Sequence, residues 1–520
     1  MYLHKLIFIY IVIASVNFSS CLFAQAPEIE WFKGYGTNTE EHVHEGIQTS
    51  DGGYIAIGDG IESRDADDML IIKVDKNGNF EWKQYFGTFG KPGAGYCVAE
   101  ISDGYIAGGG IFDADSQRTQ RFLCKLDFNG DVVWEKFYGS RGVGGIRGID
   151  ITSDGGIVAT GYIHAPDISE FQGFVFIVDE GDGFIMKLDD EGNVEWEQII
   201  DAPQGTKVRE ANQGFAVCSC VWNWSQETGD QQDFCLIKTD DQGNTIWRKC
   251  YGGNKSDHLY DFNLTKDGGY VLAGHTLSYG VANWDYLLMK VDSVGNEEWH
   301  KTFGQPRGYD AKYIHDEAYG VKQTLDGGYV IVGGSGDEYS YSASGHPAGP
   351  SDEWKVYVVK TDSKGNILWE GVYPPYSAGG NNGGEYIDLT NDKGYIIFVD
   401  TDTQTPPAPN NFGFLKLAPD TANSLIHDEP RIVKSYELLQ NYPNPFNSST
   451  IIQYSLAKTS HVEISIYNLL GHKIATLADQ TQAAGTHNVI WNADNMSSGV
   501  YFYRMKTNQF EKTKKMLLLE

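Results

Sequence analysis

The sequence predicts an all-β chain: a seven-bladed β-propeller closed by its N-terminal strand, followed by a small Ig-like β-sandwich. Three observations lead there. The pattern K-x-D-x-x-G-[ND]-x-x-W is written six times, as KVDKNGNFEW (73–82), KLDFNGDVVW (125–134), KLDDEGNVEW (187–196), KTDDQGNTIW (238–247), KVDSVGNEEW (290–299) and KTDSKGNILW (360–369). A second marker falls between them: SDGGY (50–54), SDGY (102–105), SDGGI (153–157), NQGF (212–215), KDGGY (266–270), LDGGY (325–329) and NDKGY (391–395). The ends of the array are incomplete in complementary ways. Trp31 has no K-x-D ahead of it, and Lys416 has no Trp behind it.

Each unit of about 50 residues reads as four strands, a to d. In the first, strand a lies near 44–50, strand b is YIAIGDG (54–60), strand c is DMLIIKVD (68–75) and strand d is NFEWKQYFG (79–87). Asp and Asn at the turns bond their own backbone, and Gly accepts positive φ. Strand c is almost continuously apolar, as in a strand covered on both faces. The segment around Trp31 supplies a strand d for the last unit, which closes the ring and removes its exposed edges. Trp31, Trp82, Trp134, Trp196, Trp247, Trp299 and Trp369 are therefore expected to pack against neighbouring units, and the repeated Asp to cap turns.

Outside the repeats the chain has three further parts. Residues 1–25 read as a signal peptide: His4 and Lys5 precede the apolar run LIFIYIVIASV (6–16), which is too short to span a bilayer. Cleavage is placed near Gln25 or Ala26, with lipidation at Cys21 the competing reading. The propeller is assigned to 26–420, a polar linker to 421–434, and the sandwich to 435–520. The formal charge is -30. Nine basic and six acidic residues follow position 430, leaving about −33 for the rest. Such a surface repels phosphate backbones and anionic lipid, which argues against nucleic acid. Export permits disulfides among Cys97, Cys124, Cys218, Cys220, Cys235 and Cys250, of which four crowd into 218–250. Buried thiols are the first reading there and one disulfide in the cluster the second. No CxxC pair points to zinc.

The two short turns share one face, and the b–c and d–a connections share the other. The long b–c insertions at 162–182 and 335–354 place any ligand site on that second face, near the central channel. Candidate binding residues are Trp222, Trp224, Trp284, Tyr339, Tyr341 and Trp354, with His346 nearby. Their rings suit sugar faces, or pin the loops. Asp68, Asp182, Asp233 and Asp285 each open a strand c and read as structural loop bonds. No nucleophile elbow, HExxH, P-loop or dinucleotide fingerprint is present. No catalytic residue is assigned and no cofactor is expected. Calcium has only D-x-N-x-N at 75–79 in its favour, without the later Gly and Glu of an EF-hand. His42 and His44 read as solvated.

The repeats resemble secreted bacterial proteins written as DGGY-[IV]-x-x-G and K-x-D-x-x-G-N-x-x-W, over about residues 28–418. They are also similar to the Asp-box of sialidase-like propellers, with longer spacing, and to the tryptophan-docking motif of quinoprotein propellers, with one residue fewer. The C-terminal part carries Gln440-Asn441-Tyr442-Pro443-Asn444-Pro445-Phe446-Asn447, Ile466-Tyr467-Asn468, Leu470-Gly471, Ser498-Gly499-Val500-Tyr501 and Lys514-Lys515-Met516. It resembles the type A sorting domain of the type IX secretion system, departing at Ser448, where many members have Pro. That resemblance implies type IX secretion machinery as a partner of residues 435–520. It also implies an extracellular or outer-surface location on a Gram-negative-type bacterium. The first functional reading is a non-catalytic, monomeric binding module for an extracellular glycan or protein. The alternatives are a polysaccharide-degrading hydrolase or lyase, and a structural or adhesive surface component.

Overall fold

The computed structural model describes residues 25–420 and 436–518 apart from short segments, chiefly 61–67, 166–180, 223–231, 338–352, 374–379 and 403–409. The signal peptide and linker assignments lie outside the described residues. The described residues contain strands and no helix. Two compact units divide the chain at Asn423 and Ser424.

The first unit contains seven four-stranded antiparallel sheets. Six are consecutive in sequence. The first, for example, runs Glu41–Gln48, Tyr54–Gly60, Asp68–Val74 and Phe80–Phe86 in spatial order. The seventh takes strands a to c from Asn382–Leu389, Tyr395–Thr401 and Asn411–Leu417, and its fourth strand from Ile29–Tyr35. The strands a of the other sheets are Ala94–Ile101, Val143–Ile151, Lys207–Ala211, Asp257–Leu264 and His315–Gln323. Each strand a lies beside the strand a of the next sheet, and the seventh lies beside the first. The arrangement is cyclic and propeller-like.

The hydrophobic cores explain the apolar strands. Seven cores lie between successive sheets. One joins Ile55, Ile57, Met69 and Ile71 of the first sheet to Ala107, Phe122 and Cys124 of the second. Another joins Ala56, Leu70 and Ile72 of the first sheet to Phe398, Phe412 and Phe414 of the seventh. Alternate side chains of strands b and c thus serve two different cores, so neither strand has a solvent face.

The repeated motifs tie these layers together. Each Trp ring lies on the glycine of the next c–d turn: Trp31 on Gly78, Trp82 on Gly130, Trp134 on Gly192, Trp196 on Gly243, Trp247 on Gly295 and Trp299 on Gly365. These glycines have φ of 68 to 86° and no room for a Cβ against the ring. Trp369, which has no such turn ahead of it, donates instead from Nε1 to Asp420 at 2.9 Å. Within the turns, Asp75 accepts from the backbone of Asn77 and Asn79 at 2.8 Å and from Asn79 Nδ2. Asp127, Asp189, Asp240, Asp292 and Asp362 do the same in theirs.

The motif lysine is buried and reaches back to the DGG turn. Lys73 meets Asp51 at 2.9 Å, Lys290 meets Asp267 at 3.1 Å, Lys360 meets Asp326 at 2.7 Å and Lys416 meets Asp392 at 2.9 Å. The fourth unit tests the rule, because NQGF has no Asp. There Lys238 donates to the Gln213 carbonyl at 2.7 Å, and burial pushes its ammonium below the usual lysine range. Cys235 and Cys250, opposite each other on strands c and d of the same sheet, are joined by a disulfide. Cys97, Cys124, Cys218 and Cys220 are free and buried.

The second unit has a three-stranded sheet (Glu437–Leu438, Ser449–Leu456, Gly485–Asn492) and a four-stranded sheet (Lys473–Gln482, Ser460–Tyr467, Gly499–Thr507, Glu511–Leu518). Both face one core built around Ile452, Tyr454, Trp491, Ile464, Tyr503 and Met516.

Two outcomes follow from this packing. Gly130→Ala combines left-handed strain with a clash against Trp82 and is expected to cost about 3 kcal/mol. Gly155→Ala, at φ 91° but with nothing near its Cβ, should cost only about 1–2 kcal/mol. Urea midpoints check the order. Asp326→Asn strands the fully buried Lys360 and should cost about 3–5 kcal/mol. Adding Lys360→Met should recover most of that loss, and no recovery would refute the pairing.

Candidate functional site

Strand a is where the units stop resembling one another. The residue five places before the turn-opening Thr is His44, Arg147, Tyr260, Tyr319 or Glu385 in five units. The equivalent residues in the second and fourth are Tyr96 and Thr206. In six units this residue is the extra one of a β-bulge, with register shifts between Val43 and Glu45, Gly95 and Cys97, Ile146 and Gly148, Leu259 and Asp261, Ala318 and Gly320, and Gly384 and Tyr386. A bulge re-aims a side chain that regular pleating would send elsewhere. All seven residues line one cavity of about 50 Å³, with Lys207, Cys220, Leu259 and Tyr386.

At the next position along strand a three of the seven residues are ionic, Glu45, Lys207 and Asp261, and they pair with cations or anions of other units. Lys207 of the fourth unit pairs with Glu45 of the first. Arg209 donates to Tyr386 OH at 3.2 Å and meets Asp261 at 3.5 Å. Lys322 also donates to Tyr386 OH at 3.2 Å. Glu45, Lys207 and Asp261 are buried, so these charges satisfy one another rather than face a ligand.

Tyr96, Tyr260, Tyr319, Tyr386 and His44 give the cavity wall its aromatic part, and His275 and His258 stand behind Tyr260. The Arg147 guanidinium stacks over Tyr96 at 4.2 Å from the ring centre. Tyr319 OH donates to Glu317 at 2.5 Å, and its ring meets Tyr260 edge-on at 4.8 Å. Tyr260 stacks on His275 at 5.1 Å. His275 Nε2 lies 2.9 Å from His258 Nδ1. Burial holds His258 near 4, and burial with the neighbouring His258 and His315 holds His275 well below the usual range. Burial raises Glu385, and the Asp400 and Glu317 carboxylates raise it further against the pull of His42. Burial pushes the Cys220 thiol up to about 11, which removes it as a thiolate nucleophile.

Of the sequence candidates, Trp284 joins this system and Trp354 does not. Trp284, half-buried, lies 4.6 Å from His258 and 4.8 Å from His275 by ring centres. Trp354, also half-buried, covers Gly334 and Gly336 of its own sheet, and its backbone carbonyl accepts from Asn382 N at 2.9 Å. The Trp222 side chain, Trp224, Tyr339, Tyr341 and His346 lie outside the described residues. His42 and His44 are not solvated: His42 Nδ1 is 2.7 Å from Asp400, and His44 Nε2 is 2.7 Å from Asp59. Although burial opposes its charge, His42 is raised to about 10 by Asp400, Asp59 and Glu40. Asp68, Asp233 and Asp285 sit over Gly87, Gly252 and Gly304, where a Cβ would come within 2.3 Å of a carboxylate oxygen. Among the described residues no group of three or more His, Cys, Asp and Glu is placed to hold a metal ion.

Residues 440–519 match the secretion system C-terminal sorting domain family, which points to secretion and to a cell-surface or extracellular location. No curated protein matches the chain. Solved structures similar to it include a fungal alcohol oxidase of the AA5 family in complex with copper. It is 10% identical over 95% of this chain and 100% of that one, with a TM-score of 0.45. The Neurospora crassa Pan2 WD40 domain is 10% identical over 72% and 89%, with a TM-score of 0.43. The β-propeller domain of the Trilobed protease from Pyrococcus furiosus is 9% identical over 72% and 93%, with a TM-score of 0.38. Nothing of their activities transfers at these similarities.

The buried histidines give the site a pH signature. Their folded pKa values are depressed, so their contribution is complete above the unfolded value of about 6.5 and is lost as pH falls toward about 4. His42, raised to about 10, contributes below about 6.5 and loses that as pH rises through about 10. The stability gap between wild type and His258→Gln/His275→Gln, followed by urea midpoints, should shrink from pH about 7 to about 4. A constant gap would exclude neutral, buried histidines.

Proposed function

We propose that residues 26–420 form a seven-bladed β-propeller that is secreted or displayed on the cell surface. It acts there as a non-catalytic binding module for an extracellular glycan or protein. The observation that carries this reading is the size of the axial cavity. At about 50 Å³ it is far below the 300 Å³ or so of a small substrate pocket, and below the roughly 150 Å³ that encloses one benzene ring. A sugar ring cannot be engulfed there, so a partner engages from outside and offers only a small group to the axis. The residues around the cavity support binding over catalysis. His258 and His275 are neutral and bonded to each other, the Cys220 thiol is protonated, and the Glu45, Lys207 and Asp261 charges are paired internally. The strongly acidic surface favours neutral or cationic partners.

Retention of the purified chain on a panel of polysaccharides and extracellular proteins, with and without calcium, tests the reading. The expected result is retention with no soluble product. New reducing or unsaturated ends would replace it with a polysaccharide hydrolase or lyase. Neither retention nor product on any surface would leave a structural or adhesive component.

A further inference from the structure

We propose that the axial cavity is a receptor for a primary ammonium group, carried either by an amino sugar or by a lysine side chain, with Glu385 as its counter-ion and Tyr260 and Tyr319 as its wall. This deepens the binding-module reading and rests on it.

Three independent features converge on this chemistry. The first is Glu385 itself. The bulge between Gly384 and Tyr386 turns it into the cavity. Its carboxylate makes no hydrogen bond or ion pair with the described residues, while neighbouring carboxylates are engaged: Glu317 with Tyr319, Asp400 with His42, and Asp59 with His44. Burial with Asp400 and Glu317 favours the protonated carboxyl against the pull of His42, and an ammonium entering the cavity would draw Glu385 into its charged form and become its counter-ion. The second is the wall. Tyr319 and Tyr260 stand edge to face beside it, and phenol rings attract ammonium through their π faces. The third is size. A volume of about 50 Å³ holds a group of a few heavy atoms, which an ammonium tip matches and a guanidinium with its stem does not.

The two cations at the cavity do not contradict this. Lys207 is neutralised by Glu45, and the Arg147 guanidinium, held over the Tyr96 ring, is not among the charges that act on Glu385. By unit order Arg147 belongs to the third unit and Glu385 to the seventh, so nearly half the ring separates them. The charged groups that act on Glu385 are Asp400, His42 and Glu317.

The test is calorimetric titration of the full chain with matched pairs of small probes. Glucosamine is compared with N-acetylglucosamine, and Nα-acetyl-lysine amide with its Nε-acetylated form, at constant ionic strength. At least one ammonium-bearing probe should bind, its acetylated partner should not, and Glu385→Gln should weaken binding tenfold or more. Which pair responds distinguishes amino sugar from lysine. Equal behaviour of both members of both pairs would overturn the proposal, and so would tighter binding of sodium acetate, which would assign the cavity to Arg147. The acetylation contrast is read on the wild-type chain, so it decides even where Glu385→Gln fails to fold. Retention on a polysaccharide without the acetylation contrast would sink this inference and leave the binding module standing.

Discussion

The cores of the large unit lie between its sheets, and this constraint governs the rest. A sheet of four strands has two apolar faces and cannot bury either by itself. Ile55 and Ile57 look toward the second unit, while Ala56 looks toward the seventh. An open stack would leave one such face bare at each end. Closure removes both, and the strand Ile29–Tyr35 fastens it by pairing with Asn411–Leu417. The hydrophobic effect thus demands a ring, and backbone hydrogen bonds lock it.

Repetition in the sequence follows from that geometry. Six of the seven junctions use the same fittings, a Trp, a glycine to receive it and a turn held by its own Asp, and at the seventh Trp369 bonds Asp420 instead. The buried Lys adds a strut between the two turns of one sheet. Lys73, Lys290, Lys360 and Lys416 would be costly in a dry interior without the turn carboxylates, so Lys and Asp occur together. The fourth unit loses its Asp, and Lys238 falls back on a carbonyl.

The candidate site inverts this logic. Its seven side chains occupy one equivalent position, yet they are His, Tyr, Arg, Thr, Tyr, Tyr and Glu. A search for what repeats passes over them, because their signal is a column that does not repeat. Counting back five places from the residue before each turn, a Thr in five of the seven units, would have isolated that column. It would not have shown that the side chains meet, because plain alternation along a strand predicts only which face a residue takes. The bulges decide where these side chains go, and a bulge depends on how two strands pair. The aromatic residues in the insertions drew attention for the opposite reason: they are conspicuous in sequence, and of the two described, only Trp284 reaches the axial cluster.

The sequence by itself determined the four-stranded unit, the number of repeats, the turn chemistry and the C-terminal match, because each rests on contacts within a few residues of the motif. Only the tertiary structure decided which charges neutralise each other across the ring. Glu45 and Lys207, or Arg209 and Tyr386, are separated by more than a hundred residues. It also decided that His42 and His44 are partnered, and that the cavity is small. Those properties depend on the radius of a ring closed by seven junctions, and no single unit encodes that radius.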